Sequence, residues 1–274
     1  MPSYSLGSIT LDLVRIQNEL SDAAPLPFSD TYKEFICGRW RSCALWNSSG
    51  LTQDVKITEY HGKPQQTVLG YKLPYISQLV KENFNLEFLR FARLVVLDPS
   101  SIVLPHRDYL ELENTLTRIH IPLITDRHCF NSEENLVFHL SEGEVWYLDA
   151  SLIHSAASFS ENIRLHLILD FYGNQPLTNL FHQFEKKDRR LAGIYRPPLS
   201  KQVQQAMLSL SAIITEYNFY DILAILAKQH FFGDFSLNDF YKYLNIIAVE
   251  SKDEKVIEKA NWLEKYCLAE RQLV

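Results

Sequence analysis

Between residues 87 and 173, the hydrophobic and polar positions follow the pattern of β-strands. Short runs rich in Val, Ile, Leu and aromatic residues are separated by turn residues, and several alternate with period two. No long helical pattern lies between them. The runs lie at 90–98, 101–106, 118–124, 135–140, 144–150 and 164–172. Short strands at this spacing predict an antiparallel sandwich or a jelly roll.

From about residue 200 onward, the hydrophobic residues recur every three or four positions, which is the spacing of one helical face. The stretch 220–230 predicts a second helix, and Ser236 has the residue type of an N-cap for a third. The apolar faces predicted for the first and the last helix consist of Val203, Met207, Leu210, Ile214 and Tyr217, and of Ile257, Ala260, Leu263 and Cys267. This part of the chain is therefore predicted to be a helical bundle.

The boundary between the two patterns suggests a division into domains. The first 85 residues give a mixed pattern with an early helix near 10–20, and Pro197 and Pro198 interrupt regular structure before the helices begin. We predict a mainly β fold with α-helices. Its domains are a β domain over residues 1–190, which includes the mixed N-terminal segment, and a helical domain over residues 191–274.

Composition and charge narrow the functional class. Hydrophobic residues make up 46% of the 274 residues, which allows a sizeable core. The net charge is −6, and acids interrupt the basic cluster at 185–190, which argues against a nucleic-acid-binding protein. The apolar runs are far shorter than the roughly 20 residues of a membrane span, and the N-terminus lacks the pattern of a signal peptide. We expect a cytoplasmic protein whose partner is a small molecule.

The four cysteines form neither a metal-binding nor a disulfide pattern. Cys37, Cys43, Cys129 and Cys267 match no CxxC pair and no zinc-site spacing. We expect reduced and mostly buried thiols, as is usual in the cytoplasm.

The segment from His106 to Asp108 reads His-Arg-Asp, which also occurs in the catalytic loop of protein kinases. In that loop an Asn follows the Asp by five residues. Here the corresponding residue is Glu113, and the chain has no glycine-rich phosphate loop. The kinase interpretation is therefore rejected.

An iron site is the alternative interpretation of the same segment. Non-haem Fe(II) oxygenases hold the metal with two His and one carboxylate and leave coordination positions open. Alternate residues of a strand share a face, so His106 and Asp108 can point to the same side. His154 follows the run 144–150 and can supply the second imidazole from a later strand of the same sheet. We predict that these three residues hold the metal.

Arg164 could supply a cation that one class of these oxygenases requires. It lies ten residues beyond His154, on the next predicted strand. Oxygenases of the 2-oxoglutarate type need a cation for the far carboxylate of that cosubstrate, and a guanidinium binds a carboxylate with two parallel hydrogen bonds. The ordered set of three ligands and Arg164 therefore predicts 2-oxoglutarate chemistry, which no member indicates alone.

Three longer motifs point to a known family. They are GRWRSCALWNSSG at 38–50, RLVVLDPSSIVLPHRDYLEL at 93–112 and FHLSEGEVWYLDASLIHSAASFSENIR at 138–164. The chain resembles the bacterial L-proline cis-3-hydroxylases, which belong to the aspartyl/asparaginyl β-hydroxylase group of Fe(II)/2-oxoglutarate oxygenases. The resemblance covers most of the chain, including the helical C-terminal part.

The resemblance implies a jelly-roll (double-stranded β-helix) core with a C-terminal helical domain. It also implies His106, Asp108 and His154 as iron ligands and Arg164 as the partner of the cosubstrate's distal carboxylate. Two further arginines fall where the family places arginines that face the pocket. Arg93 and Arg118 are therefore candidates for the substrate or cosubstrate carboxylate, and a salt bridge at the edge of the core is the alternative for each.

The chain departs from the proline enzymes at His120, two residues after Arg118. This Arg-x-His pair is more similar to the broader group, in which the His helps to hold 2-oxoglutarate, so we predict the same role for His120. The remaining histidines are expected to be structural. Some relatives named as proline hydroxylases act on free lysine, whose ammonium group would need an acidic partner. Glu111, Glu113 and Asp126 are available for this.

These observations predict an Fe(II)/2-oxoglutarate-dependent hydroxylase of a free L-amino acid. It would use O2, give a hydroxy-amino acid, succinate and CO2, and serve natural-product biosynthesis. No catalytic residue is predicted beyond the metal centre. The alternatives are a hydroxylase of free L-lysine or another amino acid, of an amino acid on a carrier protein, or a non-catalytic cupin-like binding module.

Overall fold

A computed structural model of the chain describes residues 3–60, 62–114, 116–173, 175–183 and 193–271. The strands are β1 (Tyr4–Ser8), β2 (Ile36–Cys37), β3 (Trp40–Asn47), β4 (Gln65–Gln66), β5 (Leu89–Leu97), β6 (Ser101–His106), β7 (Leu116–Ile124), β8 (Cys129–Glu133), β9 (Leu136–Phe138), β10 (Glu144–Leu148), β11 (His154–Ser158) and β12 (Arg164–Tyr172). The helices are α1 (Leu13–Asp22), α2 (Val68–Lys72), α3 (Pro74–Asn83), α4 (Leu177–Leu180), α5 (Lys201–Leu208), α6 (Phe219–Phe232), α7 (Leu237–Ser251) and α8 (Glu254–Leu268). Short 3-10 helices lie at Lys33–Phe35 and Ser209–Ala212.

The strands form two antiparallel sheets. The larger has the order β1-β10-β7-β12-β5-β3-β4, and the smaller has the order β2-β6-β11-β8-β9. Consecutive strands of the chain alternate between the sheets from β5 to β7 and again from β10 to β12. The predicted jelly-roll core and the helical C-terminal region are both confirmed.

The alternation along the large sheet places charged residues inside the sandwich. In β12, Leu165, Leu167 and Leu169 pack in an apolar core with α1, α2 and α3, whereas Arg164 and His166 face a cavity between the sheets. Strands β5 and β7 repeat this pattern. Because successive side chains of a strand point to opposite faces, one set builds the core and the other set lines the cavity.

The C-terminal helices cover the outer face of the small sheet. Ile102 and Leu104 of β6 share one buried cluster with Leu226 of α6, Leu244 of α7 and Leu263 of α8. The strand that ends at His106 is therefore held from outside by the helical region. Burial of this shared apolar surface is the main contribution to the stability of that contact.

The strands rich in large apolar residues were predicted from the sequence, whereas less apolar strands and one helix end were not. All six predicted runs contain a strand, but β8 and β11 were missed because their sequences, CFNSE and HSAAS, contain few large apolar residues. Ser236 caps α7 as predicted, since its Oγ accepts from the Asp239 amide at 3.1 Å. The long first helix is wrong: α5 ends at Leu208 and Tyr217 is 91% exposed.

The state of the cysteines and the lengths of the helices bear on further predictions. All four cysteines are buried and free, which confirms that expectation. Within the described ranges, no helix combines the length and the hydrophobicity that a membrane span requires. The basic cluster at 185–190, the predicted domain boundary between 190 and 191, and His61 lie outside the described residues.

Candidate active site

A cavity of about 910 Å³, mouth included, lies between the two sheets. All seven residues that the sequence analysis assigned to the site line it. They are His106, Asp108 and His154, the predicted metal ligands; Arg164 and His120, the predicted cosubstrate contacts; and Arg93 and Arg118, the predicted substrate contacts.

The three predicted ligands come from two neighbouring strands. His106 of β6 and His154 of β11 are paired in the antiparallel register, and Asp108 lies in the turn that follows β6. The Asp108 amide donates to the carbonyl of Ala150 at 2.8 Å, which holds this turn. Asp108 Oδ1 lies 3.5 Å from His106 Nε2, and Asp108 Oδ2 lies 3.7 Å from His154 Nε2. One ligand atom of each residue lies within 4.8 Å of the other two.

Backbone carbonyls fix the orientation of both imidazoles. His106 Nδ1 lies 2.9 Å from the Leu104 carbonyl, and His154 Nδ1 lies 2.9 Å from the Leu152 carbonyl. A carbonyl only accepts, so each neutral ring carries its hydrogen on Nδ1 and presents the Nε2 lone pair to the site. Phe35 stacks on the His106 ring with a centroid distance of 4.4 Å. Two such nitrogens and a carboxylate are the donor set that non-haem Fe(II) prefers.

The electrostatics keep Asp108 and His154 in the protonation states that a metal requires. Burial raises the pKa of Asp108, but Arg118 together with His106 and His154 holds it well below its usual value. Burial and the nearby His106 lower the pKa of His154 to about 3. At neutral pH the carboxylate is therefore ionised and the His154 imidazole is neutral, as ligands must be.

Arg164 is a buried cation in the wall of the same cavity. Its Nη2 donates to Asn131 Oδ1 at 2.6 Å and lies 3.3 Å from His166 Nδ1. Among the described residues, no carboxylate oxygen lies within 4.0 Å of an Arg164 nitrogen, so the guanidinium has no ion-pair partner there. Burial lowers the pKa of Arg164 to about 10, so it stays charged at neutral pH. A buried charge without a counter-ion is costly, and an anion entering the cavity would neutralise it.

Two histidines lie between Arg164 and the other arginines. The rings of His120 and His166 meet edge to face with centroids 5.6 Å apart, and the Nε2 atoms of both are buried without a hydrogen-bond partner. Burial and the neighbouring arginines lower the pKa of each well below its usual value. His166 was predicted to be structural, but it lines the cavity. Its position two residues after Arg164 on a strand was the signal that would have placed it in the cavity.

Arg93 and Arg118 line the cavity and are also paired internally. Arg118 Nε donates to Asp170 Oδ1 at 2.7 Å, its Nη2 donates to Asp170 Oδ2 at 3.3 Å, and its Nη1 contacts Asp108. Arg93 Nη2 donates to Asp170 Oδ2 at 3.2 Å, but Arg93 Nε is buried without a hydrogen-bond partner. The Tyr109 hydroxyl also donates to Asp170 at 3.0 Å. Asp170 was not among the residues predicted for the site.

Apolar side chains and further acidic residues, Glu111 among them, also line the cavity. Tyr32, Trp40 and Ile57 face the cavity together with Glu111. Of the three acidic residues considered as partners of a substrate ammonium, Glu111 is the one in the lining among the described residues, whereas Glu113 is exposed.

Two family models match most of the chain, and known proteins are similar to it. The family model of aspartyl/asparaginyl β-hydroxylases matches residues 7–173, and that of the C-terminal part of L-proline 3-hydroxylase matches residues 181–274. The chain is 36% identical to an L-proline cis-4-hydroxylase of Rhizobium meliloti (strain 1021), over 99% of this chain and 98% of the relative. It is 31% identical to L-proline cis-3-hydroxylase 1 of a Streptomyces species, over 100% of this chain and 97% of the relative. Among solved structures, a prolyl-4-hydroxylase of Pseudomonas putida aligns with a TM-score of 0.39 at 13% identity, over 63% of this chain and 92% of the other.

Proposed function

The chain belongs to the aspartyl/asparaginyl β-hydroxylase family, and from this premise we propose that it hydroxylates a free L-amino acid, with L-proline as the first candidate. It is an Fe(II)/2-oxoglutarate-dependent dioxygenase of the proline hydroxylase-like type, with O2 as the second cosubstrate. Its full-length relatives are enzymes, so the alternative of a non-catalytic binding module is set aside. The role in natural-product biosynthesis stays a prediction.

His106, Asp108 and His154 are the residues that would hold the iron. The fit is supported by the two Nε2 lone pairs and the ionised carboxylate that meet at one point of the cavity wall. When bound, the iron would bring together O2 as the oxidant and 2-oxoglutarate as the source of two electrons, so that one oxygen atom enters an unactivated C–H bond and the other enters succinate, with CO2 as the co-product. The protein's own contribution is to position the reactants and to exclude competing reactions.

The observation that carries the proposal is the unneutralised Arg164 in the same cavity as the three ligands. A dicarboxylate could bind the metal with one carboxylate and this guanidinium with the other. Asn131 orients the guanidinium, because its Oδ1 accepts a hydrogen bond from Arg164 Nη2. The pKa of His120 is held low, so its neutral ring adds a hydrogen-bonding group without adding charge. We assign Arg164 and His120 to 2-oxoglutarate on this basis.

The substrate carboxylate is best assigned to Arg93. Arg118 already donates from all three nitrogens to Asp108 and Asp170, whereas Arg93 keeps its Nε without a partner. We therefore propose that Arg93 contacts the substrate and that Arg118 supports it through the shared Asp170. Glu111 lines the same cavity, and we propose it as the partner of the amine of the amino acid.

The test is a turnover screen of the purified chain with Fe(II), 2-oxoglutarate, O2 and each proteinogenic amino acid. We expect L-proline to gain one oxygen by mass spectrometry, with one succinate formed per oxygen. Oxygen gain on lysine and not on proline would replace the proposed substrate. If no amino acid yields succinate or gains oxygen, the proposal of a free amino-acid substrate is wrong.

A pair of histidine variants ties the turnover to the proposed ligands. His154→Ala should abolish succinate formation, because one of three ligand side chains is removed. His128→Ala is the matched control, since His128 is exposed and outside the cavity lining. Turnover by His154→Ala at the rate of the control would contradict the assignment of the metal site.

A further inference from the structure

Arg271 belongs to the helical region but is buried beside the predicted iron site. It lies three residues after the end of α8, and its side chain is only 1% exposed. The guanidinium carbon lies 5.0 Å from the ring centroid of Phe35, 5.5 Å from that of Tyr266 and 5.9 Å from that of Tyr32. Phe35 in turn stacks on the ring of His106. An aromatic cage therefore fixes this cation at a defined place.

Hydrogen bonds connect this cation to the main chain between two of the predicted ligands. Arg271 Nη2 donates to the carbonyl of Arg107 at 2.6 Å. In the opposite direction, the Arg107 amide donates to the carbonyl of Cys267 in α8 at 2.9 Å. The peptide groups on both sides of Arg107 are thus fixed by the helical region, and the turn cannot move without breaking these bonds.

The guanidinium also faces two carboxylates of the turn. Arg271 Nη1 lies 3.7 Å from Asp108 Oδ1 and 3.5 Å from Glu111 Oε2. Arg118 contacts the other oxygen of Asp108, so this carboxylate lies between two cations that restrict its rotation. Without Arg271, Glu111 would be a buried carboxylate near Asp108 that has lost its ion-pair partner.

We propose that Arg271 is a positioning residue of the iron site, through which the helical region sets the geometry of the His106–Asp108 turn. This inference rests on the proposed function, since it presumes that the turn binds a metal. It goes beyond that function, because the β-sandwich alone then lacks a part of its metal site. Groups that orient metal ligands from behind typically change metal affinity about 10–100-fold when they are removed.

Calorimetric titration with Co(II) in the absence of O2 tests the proposal without measuring turnover. Arg271→Met should raise the Kd for Co(II) by about tenfold or more, because the turn loses its anchor. Arg271→Lys keeps the charge but not the planar fork, so its Kd should lie between those of Arg271→Met and the wild type. Lys265→Met is the matched control: it removes a cation from α8, but this lysine is 67% exposed and pairs with Glu270.

The outcomes separate this inference from the proposed function. Weaker Co(II) binding by Arg271→Met at a temperature where it is folded, with the control at the wild-type value, supports the positioning role. Unchanged or tighter binding, with only the Tm lowered, shows that Arg271 merely tethers the helix and overturns the inference. If Arg271→Met does not fold, Arg271→Lys decides, and a Kd equal to that of the wild type overturns the inference. A wild-type chain that binds no Co(II) overturns the proposed iron site itself.

Discussion

Asp170 of β12 lies directly opposite Arg118 of β7 in the antiparallel register, and its carboxylate accepts from that guanidinium at 2.7 and 3.3 Å. The same carboxylate pairs with Arg93 at 3.2 Å. Arg118 reaches Asp108 with its remaining nitrogen. A single buried anion therefore orients two cations of the cavity wall and, through one of them, a predicted metal ligand.

Replacement of Asp170 by Asn should be strongly destabilising. It leaves Arg93 and Arg118 buried with one carboxylate fewer, and removal of one partner from a buried ion pair costs about 3–5 kcal/mol. We expect the free energy of unfolding from urea titration to fall by this amount, with loss of turnover. Asp98→Asn is the control, because Asp98 pairs with Arg41 at 2.6 Å near the surface, and its effect should stay below about 1 kcal/mol. Equal stability of the two variants would contradict the role given to Asp170.

The clustering of the proposed metal ligands could be predicted from the sequence because most of its pattern is local. The period-two rule predicted that His106 and Asp108 share a strand face. In the structure β6 ends at His106 and Asp108 lies in the following turn, but its Oδ1 still lies 3.5 Å from His106 Nε2. The position of His154 follows from the requirement for a second imidazole on the same sheet. Arg164 likewise follows from its strand. The ligands predicted for these four residues were inferred from their combination and order along the chain and from the resemblance to a known family.

Other parts of the site could not be predicted because their partners are distant in sequence. Asp170 lies 52 residues from Arg118 and 77 residues from Arg93, and Arg271 lies 164 residues from Arg107. An acidic residue in an apolar strand and an arginine near a helix end have many possible roles. Only the strand register and the packing of the helices on β6 bring these groups to the cavity.

Removal of the Arg164 guanidinium should weaken the binding of 2-oxoglutarate more than that of the amino acid. Arg164→Met removes the buried cation that the cosubstrate's far carboxylate would meet. Loss of about 3 kcal/mol of charge-assisted hydrogen bonding corresponds to a rise in the KM for 2-oxoglutarate of about 100-fold. Initial rates of succinate formation at varied 2-oxoglutarate measure this, and Arg164→Lys should be intermediate.

The control for this effect is Arg41→Met. Arg41 is a partly buried arginine of β3 with a carboxylate partner, and it is not in the cavity lining. Its KM for 2-oxoglutarate should equal that of the wild type. A rise in the KM for the amino acid with no change for 2-oxoglutarate in Arg164→Met would instead assign Arg164 to the substrate.

Removal of His154 should abolish metal binding, whereas removal of a histidine with a similar hydrogen bond outside the cavity should not. We expect His154→Ala to lose Co(II) binding in calorimetry. His139 is a matched control because its Nδ1 also lies 2.9 Å from a backbone carbonyl, that of Cys129, while its ring is outside the cavity lining. His139→Ala should bind Co(II) as the wild type does. Co(II) binding by both variants with the wild-type Kd would remove His154 from the ligand set.

The buried His230 of α6 should make the stability of the fold depend on pH. Its ring is fully buried, Nδ1 lies 2.6 Å from the carbonyl of Phe235, and Nε2 has no partner. Burial lowers its pKa to about 3, and the nearby Arg196 acts in the same direction. The unfolded chain binds a proton at about pH 6.5 and the folded chain does not. The contribution of His230 is therefore complete above about pH 6.5 and is lost as the pH falls, by up to about 1.4 kcal/mol per pH unit.

Comparison with His230→Gln isolates this contribution from those of the other histidines. The amide can still donate to the Phe235 carbonyl but does not titrate in this range. Between pH 7.5 and pH 5.0, the free energy of unfolding from urea titration should fall by about 2 kcal/mol more in the wild type than in the variant. Since the cavity histidines are present in both proteins, their effects cancel in the difference. Equal pH dependence of the two proteins would mean that His230 is protonated as readily in the folded state as in the unfolded chain.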